Sequence, residues 1–287
     1  MQCARAIAVI VFAIAASFVC QSASAQRGNA IDTLAAQMNE AGQTGRQAEA
    51  LALSQKLEAL VRRQQGTSNM NYAGVLHNQG MFLYNLGRYQ EAIDKLNAAL
   101  AIKLRNNDAA STLRSSNILS ASLARLERRA EASAVAERAL AIGTQAFGPD
   151  DVRVSGVLSA LGDLARDQEN YKDAERYFER ALTAQQNSPK AAPFEVASTM
   201  DSLGDVYGLE GRFDDGERLL NQSLKLMEQT YGPSVQGQVN YQKTLNDLGN
   251  LYKDAGRFPE AEAAFGRSLA AGRATLGEDH PNVGDHG

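Results

Sequence analysis

Three observations predict an all-α fold, a right-handed α-solenoid of stacked helix–turn–helix units. Apolar residues recur at three- and four-residue steps. The clearest sets are Leu245, Leu248, Leu251 and Tyr252, then Ala261, Ala264, Phe265 and Leu269, and each set makes one face of a helix. The same short unit returns at a nearly constant interval. Nowhere does the chain alternate apolar and polar residues with the period of two that a half-buried strand needs.

Taken in order, the chain opens with a leader. Arg5 charges its start, Ala6 to Val19 is almost wholly apolar, and Ala23-Ser24-Ala25 offers small residues for cleavage. The apolar run is too short for a comfortable membrane span, so residues 1–25 read as a secretory signal peptide cut before Gln26. A lipid anchor on Cys20 is the minor alternative, because Ser17-Phe18-Val19 is bulky for that processing. Both cysteines, Cys3 and Cys20, fall in the leader. The mature chain then has no disulfide, thiolate metal site or catalytic cysteine.

Residues 26–276 carry six hairpins. A small residue opens the second helix of each unit at Ala50, Ala92, Ala132, Ala174, Gly216 and Ala261, in steps of 42, 40, 42, 42 and 45. Twelve residues earlier stand Met38, Gly80, Ser120, Gly162, Gly204 and Gly249. Small residues at fixed points let two helices cross closely, and larger ones fill the seam. Eight residues after the opening come Leu100, Leu140, Leu182, Leu224 and Leu269. The first unit departs, with Glu58 at that place and only Leu57 or Leu60 to take the apolar role. No single hairpin can bury its own stripe, so each needs neighbours.

Punctuation agrees with this division. Gly45-Arg46, Gly87-Arg88, Gly211-Arg212 and Gly256-Arg257 mark turns inside units, and Pro259 sits where a second helix begins. Gly66 to Asn69 and Ser188 to Pro193 read as loops between units. Residues 277–287 are a tail or the start of a further repeat. The last hairpin shows no polar cap, so the array self-associates through that end, continues into something longer, or ends in a disordered tail after a sufficiently polar last helix.

These motifs resemble the tetratricopeptide repeat. The match lies in Leu161-Gly162, in Leu203-Gly204 with Tyr207, and in Leu248-Gly249 with Tyr252. It continues in Ala174 with Phe178 and Ala261 with Phe265. The usual Trp is absent, replaced by Leu76, Leu158, Met200 and Leu245. The extra length, placed after the second helix in Gly143–Asp151, Glu228–Val235 and Ala274–Val283, resembles the long-period subtype typical of kinesin light chains.

The resemblance implies a non-enzymatic scaffold that presents a concave groove, lined by the first helices, to a protein or peptide partner. It also implies a bacterial protein, and the leader places it in the periplasm or outside the cell. Three rows fall on that inner face. The first holds His77, Asn117, Ser159, Asp201 and Asn246. The second holds Met81, Ala121, Asp163, Asp205 and Asn250, and the third Tyr84, Ala124, Arg166, Gly208 and Lys253. Asn and Asp side chains can meet an extended backbone as donors and acceptors, and Arg166 and Lys253 are candidate anchors for a ligand carboxylate. Asn246, Asn250 and Lys253 resemble parts of the carboxylate clamp of some family members, although the full clamp is missing. The competing reading makes the chain the sensing arm of a longer protein with an effector, such as a caspase-like protease, beyond Gly287.

Little in the chain points to chemistry. It has 287 residues, net charge -4 and 22% charged residues; losing Arg5 with the leader leaves 28 basic against 33 acidic. That balance argues against nucleic acid, and no stable membrane span is expected after leader removal. His77, His280 and His286 lack the i, i+4 spacing of a helical metal site, so no metal or cofactor is expected. No nucleophile elbow or phosphate loop occurs. Asp150-Asp151 and Asp214-Asp215 read as helix-start acids offsetting the dipole.

Overall fold

The computed structural model describes residues 30–237 and 239–276. The leader over 1–25, the segment 277–287, and His280 and His286 with it, lie outside the described residues. Among the described residues there are twelve α-helices, one 3-10 helix and no strand. They are α1 (30–43), α2 (Gln47–Gln65), α3 (Met70–Asn85), α4 (Tyr89–Arg105), α5 (Ala109–Arg125), α6 (Arg129–Phe147), α7 (Val152–Arg166), α8 (Tyr171–Gln186), α9 (Pro193–Leu209), α10 (Phe213–Tyr231), α11 (Val239–Asp254) and α12 (Phe258–Leu276). The 3-10 helix, Gly232–Gly237, joins α10 to α11. Two compact units form, one ending at Asp108 and one beginning at Ala109. Within each unit helices pack in chain order, as the solenoid class requires.

The crossing inside each hairpin follows from the small residues. A Cβ placed on Gly162 would lie 2.7 Å from the Phe178 ring, and one on Gly249 would lie 2.6 Å from the Phe265 ring. The bare backbone is what lets a bulky residue, four positions after the small residue of the second helix, sit against the first. At the third hairpin a serine replaces glycine and uses the gap differently: Ser120 Oγ donates to the Ala132 carbonyl at 3.0 Å. Ala50, Ala92, Ala132 and Ala174 are fully buried at these crossings. Leu182 and Leu224, eight residues further on, are buried too, but Leu269 is 44% exposed, because no later described helix covers α12.

Turns inside the hairpins repeat a left-handed residue. Gly45, Gly87, Gly211 and Gly256 have φ of 74° to 76°, which glycine adopts without strain. The third and fourth hairpins place Glu127 (φ 58°) and Glu169 (φ 59°) there instead. The Arg after each glycine turn reaches the acid three residues on in the next helix, as Arg88 does to Glu91 at 2.6 Å.

The Tyr of the repeat signature is structural. Arg212 stacks 3.9 Å from the centroid of Tyr207 and donates to Glu175 of α8 at 2.6 Å. Arg257 stacks 4.4 Å from the centroid of Tyr252 and shares Glu217 of α10 with the Tyr252 hydroxyl, at 2.5 and 2.8 Å. Each clamp ties one hairpin to the next.

One expectation changes in part. The extra length lies only partly after the second helix, in 148–151 and 232–235. In α6 the helix runs through Gly143 to Phe147, and in α10 through Glu228 to Tyr231. Gly143 is no breaker, since a Cβ there would meet Leu113 at 2.8 Å and Val154 at 2.9 Å; it is the point where the helix is packed against both neighbours. The departure at Glu58 also resolves. Leu57 takes the buried apolar role, and Glu58 accepts from Tyr72 at 2.9 Å, Gln79 at 2.8 Å and Lys95 at 3.0 Å. Burial pushes its carboxyl up, but these three bonds outweigh burial and hold it below the usual range.

Candidate functional site

Row residues of the second unit lie along the first helices of its hairpins, and several meet the hairpin that follows. Asn117 on α5 approaches α7, where its amide nitrogen lies 2.8 Å from where a Gly156 Cβ would stand. Its Oδ1 is buried without a hydrogen-bond partner. Ser159 on α7 meets Thr199 on α9 at 3.5 Å. Arg166, also on α7, reaches Asp163 at 3.4 Å, Asp167 at 3.2 Å and Asp205 of α9 at 3.5 Å. Asp201 on α9 accepts from Lys243 of α11 at 2.5 Å, and Lys243 turns its other side to Asp247 at 2.6 Å.

Between α7, α9 and α11 this pattern leaves a cavity of about 200 Å³. Asp163 and Arg166 line it from α7, Asp201 with Ala197 and Ser198 from α9, and Asn240, Lys243 and Thr244 from α11; Met227 of α10 lines it as well. Asp201 has only 5% of its side chain exposed, and its Oδ1 has no hydrogen-bond partner. Burial in this concave wall pushes the carboxyls up: Asp201 to about 6, with Asp163 and Asp205 raised in the same direction. Lys243 is raised despite burial, because Asp201 and Asp247 favour its charged form.

Asn246, Asn250 and Lys253 are exposed on α11, away from the cavity lining, since no later described helix stands where they lean. Lys253 Nζ lies 3.4 Å from Asn250 and 3.8 Å from Asp254. In the first unit His77, Met81 and Tyr84 are half-buried on α3, with the Tyr84 ring 5.6 Å from that of Tyr89. As a carboxylate anchor Arg166 is already engaged by three acids, so a ligand carboxylate would have to displace one. Lys243 and Asp247 were missed by the row alignment. They sit three residues before and one after Asn246, on the side of α11 that faces back to α9.

Elsewhere the acids read as helix-start residues do that work. Asp151 caps α7 by accepting the Arg153 amide at 2.9 Å, and the Arg153 side chain helps hold its carboxyl near 2. Among the described residues no three of His, Cys, Asp and Glu are grouped to hold a metal, and no helix is long and apolar enough to cross a membrane.

Models of the tetratricopeptide repeat match residues 73–106, 108–187, 196–234 and 243–282, together about two thirds of the chain. The chain belongs to the tetratricopeptide-repeat family. Among solved structures, BtubC (BKLC) from P. vanneervenii is similar at TM-score 0.66 and 21% identity, over 85% of this chain and 96% of that one. A putative kinesin light chain from Podosopora anserina is similar at TM-score 0.56 and 17% identity, over 72% and 97%. A Rap protein complexed with Competence and Sporulation Factor is similar at TM-score 0.61 and 13% identity, over 83% and 73%. At these identities the likeness is one of fold. No curated protein matches the sequence.

Proposed function

We propose that the chain is a non-catalytic protein-interaction scaffold whose α7–α9–α11 face seats an extended segment of a protein partner. The observation that carries this reading is convergence. Asp163, Arg166 and Asp201, from the rows that the resemblance puts on the inner face, line one cavity, and Ser159 and Asp205 bridge the same helices beside it. Asn246, Asn250 and Lys253 extend the same face as exposed hydrogen-bonding groups, which suits a backbone with both donors and acceptors. Asn117 continues it on α5, and His77, Met81 and Tyr84 form the corresponding face of the first unit. The Rap structure, held with Competence and Sporulation Factor, supports the idea that such a fold can carry a bound factor. The leader supports a periplasmic or secreted location; a mature protein whose mass begins at Gln26 is the expected result.

The face is tested with a phage-displayed library of random dodecapeptides panned on the chain. Selected peptides are expected to lose about fivefold or more in affinity for Asn246→Ala combined with Asn250→Ala, with unchanged helical circular dichroism. Peptides that bind the double variant as well as the parent would remove this face from the reading.

A further inference from the structure

Contacts between successive hairpins recur at fixed places, counted from the small residue that opens each second helix. One joins the residue just after that opening to the Arg of the following turn. Glu175 takes Arg212 at 2.6 Å and Glu217 takes Arg257 at 2.5 Å. A second brings the residue ten before one opening onto the residue eight before the preceding one. In this way Phe82 lies 3.0 Å from where a Gly42 Cβ would stand, and Leu251 lies 3.4 Å from where one on Gly208 would stand. A third joins the residue fifteen before one opening to the residue eighteen before the next. Asn117 lies against Gly156 in this way, and Asp201 takes Lys243.

The last described hairpin carries the receiving half of all three, with no described hairpin following it. Glu262 stands at the place of Glu175 and Glu217, Lys253 at that of Gly208, and Asn246 at that of Asp201. All three are exposed. Beside them Leu269 is 44% exposed, whereas its counterparts Leu182 and Leu224 are buried. The first described hairpin carries the opposite half. Arg46 stands at the place of Arg212 and bonds Glu49 as Arg212 bonds Asp215; 46% of its side chain is exposed. Glu40 stands at the place of Leu251 and Asp32 at that of Lys243, and both are exposed. Leu34 is only half-buried, whereas its counterparts Leu76, Leu158 and Leu245 are buried.

We propose that the chain associates head to tail, the α11–α12 end face of one copy seating the α1–α2 hairpin of a second in the register of the seams already present. That register sets Glu262 against Arg46, Lys253 against Glu40 and Asn246 against Asp32, and it covers Leu269 and Leu34. Two pairs are of opposite charge and the third is a donor with an acceptor. The two faces differ, so the contact is heterologous, and each copy both gives and receives. A tail-to-tail pair would leave Arg46 and Glu40 unused. A foreign hairpin would have to bring an arginine and an acid to these same places, which this chain already carries. The contact shares Asn246 and Lys253 with the seat proposed for an extended segment; Glu262, Arg46 and Glu40 belong to it alone.

Sedimentation velocity of the full chain at rising concentration tests this, and a mass growing beyond the monomer is expected. Glu262→Arg and Arg46→Glu should each weaken association about tenfold or more, because each sets like charges face to face. Both substitutions in one chain should restore it. Mixing the two single variants should restore it as well, since every contact between unlike chains then pairs opposite charges. Lys253→Glu and Glu40→Lys form a second pair with the same expected pattern, and helical circular dichroism checks that each variant folds. A monomer at every concentration overturns the proposal, as does association indifferent to Arg46→Glu, which a tail-to-tail contact would show. A mixture no stronger than its separate variants also overturns it. Each of these failures leaves the peptide selection on Asn246 and Asn250 standing, so the two readings fail separately.

Discussion

Glu58 in the first unit and Asp201 in the second are both acids set into seams between hairpins, and they are treated in opposite ways. Glu58 takes three donors from the following hairpin, and its carboxyl is held low. Asp201 has Lys243 on one oxygen, nothing on the other, and a carboxyl raised to about 6. The difference teaches that burial of a carboxylate says little by itself. A charge whose lone pairs are met inside the fold is cement, and one buried with a lone pair unmet is held at a cost.

Breaking Glu58 should have the largest effect. Glu58→Ala strands the buried amide of Gln79, whose Nε2 keeps only the Ser54 carbonyl at 3.2 Å, and removes the link to Lys95. A loss of about 2–3 kcal/mol is expected, read as faster hydrogen exchange in α3 than in α7. Equal exchange in the two helices would mean that the hub contributes no more than a surface pair.

The two acids should also give stability opposite dependences on pH. Glu58 is lowered from its ordinary 4.5, so its contribution is present above that value and is lost as pH falls through its folded pKa. Asp201 is raised from 3.8 to about 6, so its contribution is full below 3.8 and is lost as pH rises through 6. Carboxyl carbon NMR titration checks both, and a common direction for the two would contradict the contrast.

A smaller effect separates the turns. The first unit uses Gly45 and Gly87 at the left-handed position, whereas the second uses Glu127 and Glu169 in two of its hairpins. Glu169→Gly should stabilise α7 and α8 by about 1 kcal/mol in chemical unfolding, because a side chain is unfavourable in that conformation. No gain would show that the strain is compensated locally. The smallest stability effect belongs to Asp201→Asn. The lost bond to Lys243 is offset by relief from burying a charge, so a change within about 0.5 kcal/mol is expected.

The repeats were legible because close crossing is a steric demand that sequence must meet at fixed positions, as Gly162 against Phe178 and Gly249 against Phe265 show. Helical spacing sets the row residues on one face of each first helix, and the family resemblance supplied the choice of that face. What escaped depended on which neighbour a side chain reaches. Glu58 looked like a broken apolar position because its donors come from Tyr72, Gln79 and Lys95, up to 37 residues on. Lys243 and Asp247 escaped because the alignment tracked equivalent positions, while contacts join non-equivalent ones from one hairpin to the next. The signal was present in Lys243 and Asp247 themselves, an i, i+4 charged pair one turn before and just after the row. Gly143 was placed past the end of α6 because a glycine that ends a helix and one that lets a neighbour approach look alike in sequence.

The most direct measurement is the affinity of one selected dodecapeptide for Glu58→Gln and for Asn246→Ala combined with Asn250→Ala, side by side, with unfolding followed on the same samples. The account predicts that the double variant loses about fivefold or more in affinity with stability nearly unchanged, and that Glu58→Gln loses stability with affinity unchanged. Affinity that follows Glu58 and ignores Asn246 and Asn250 would contradict it.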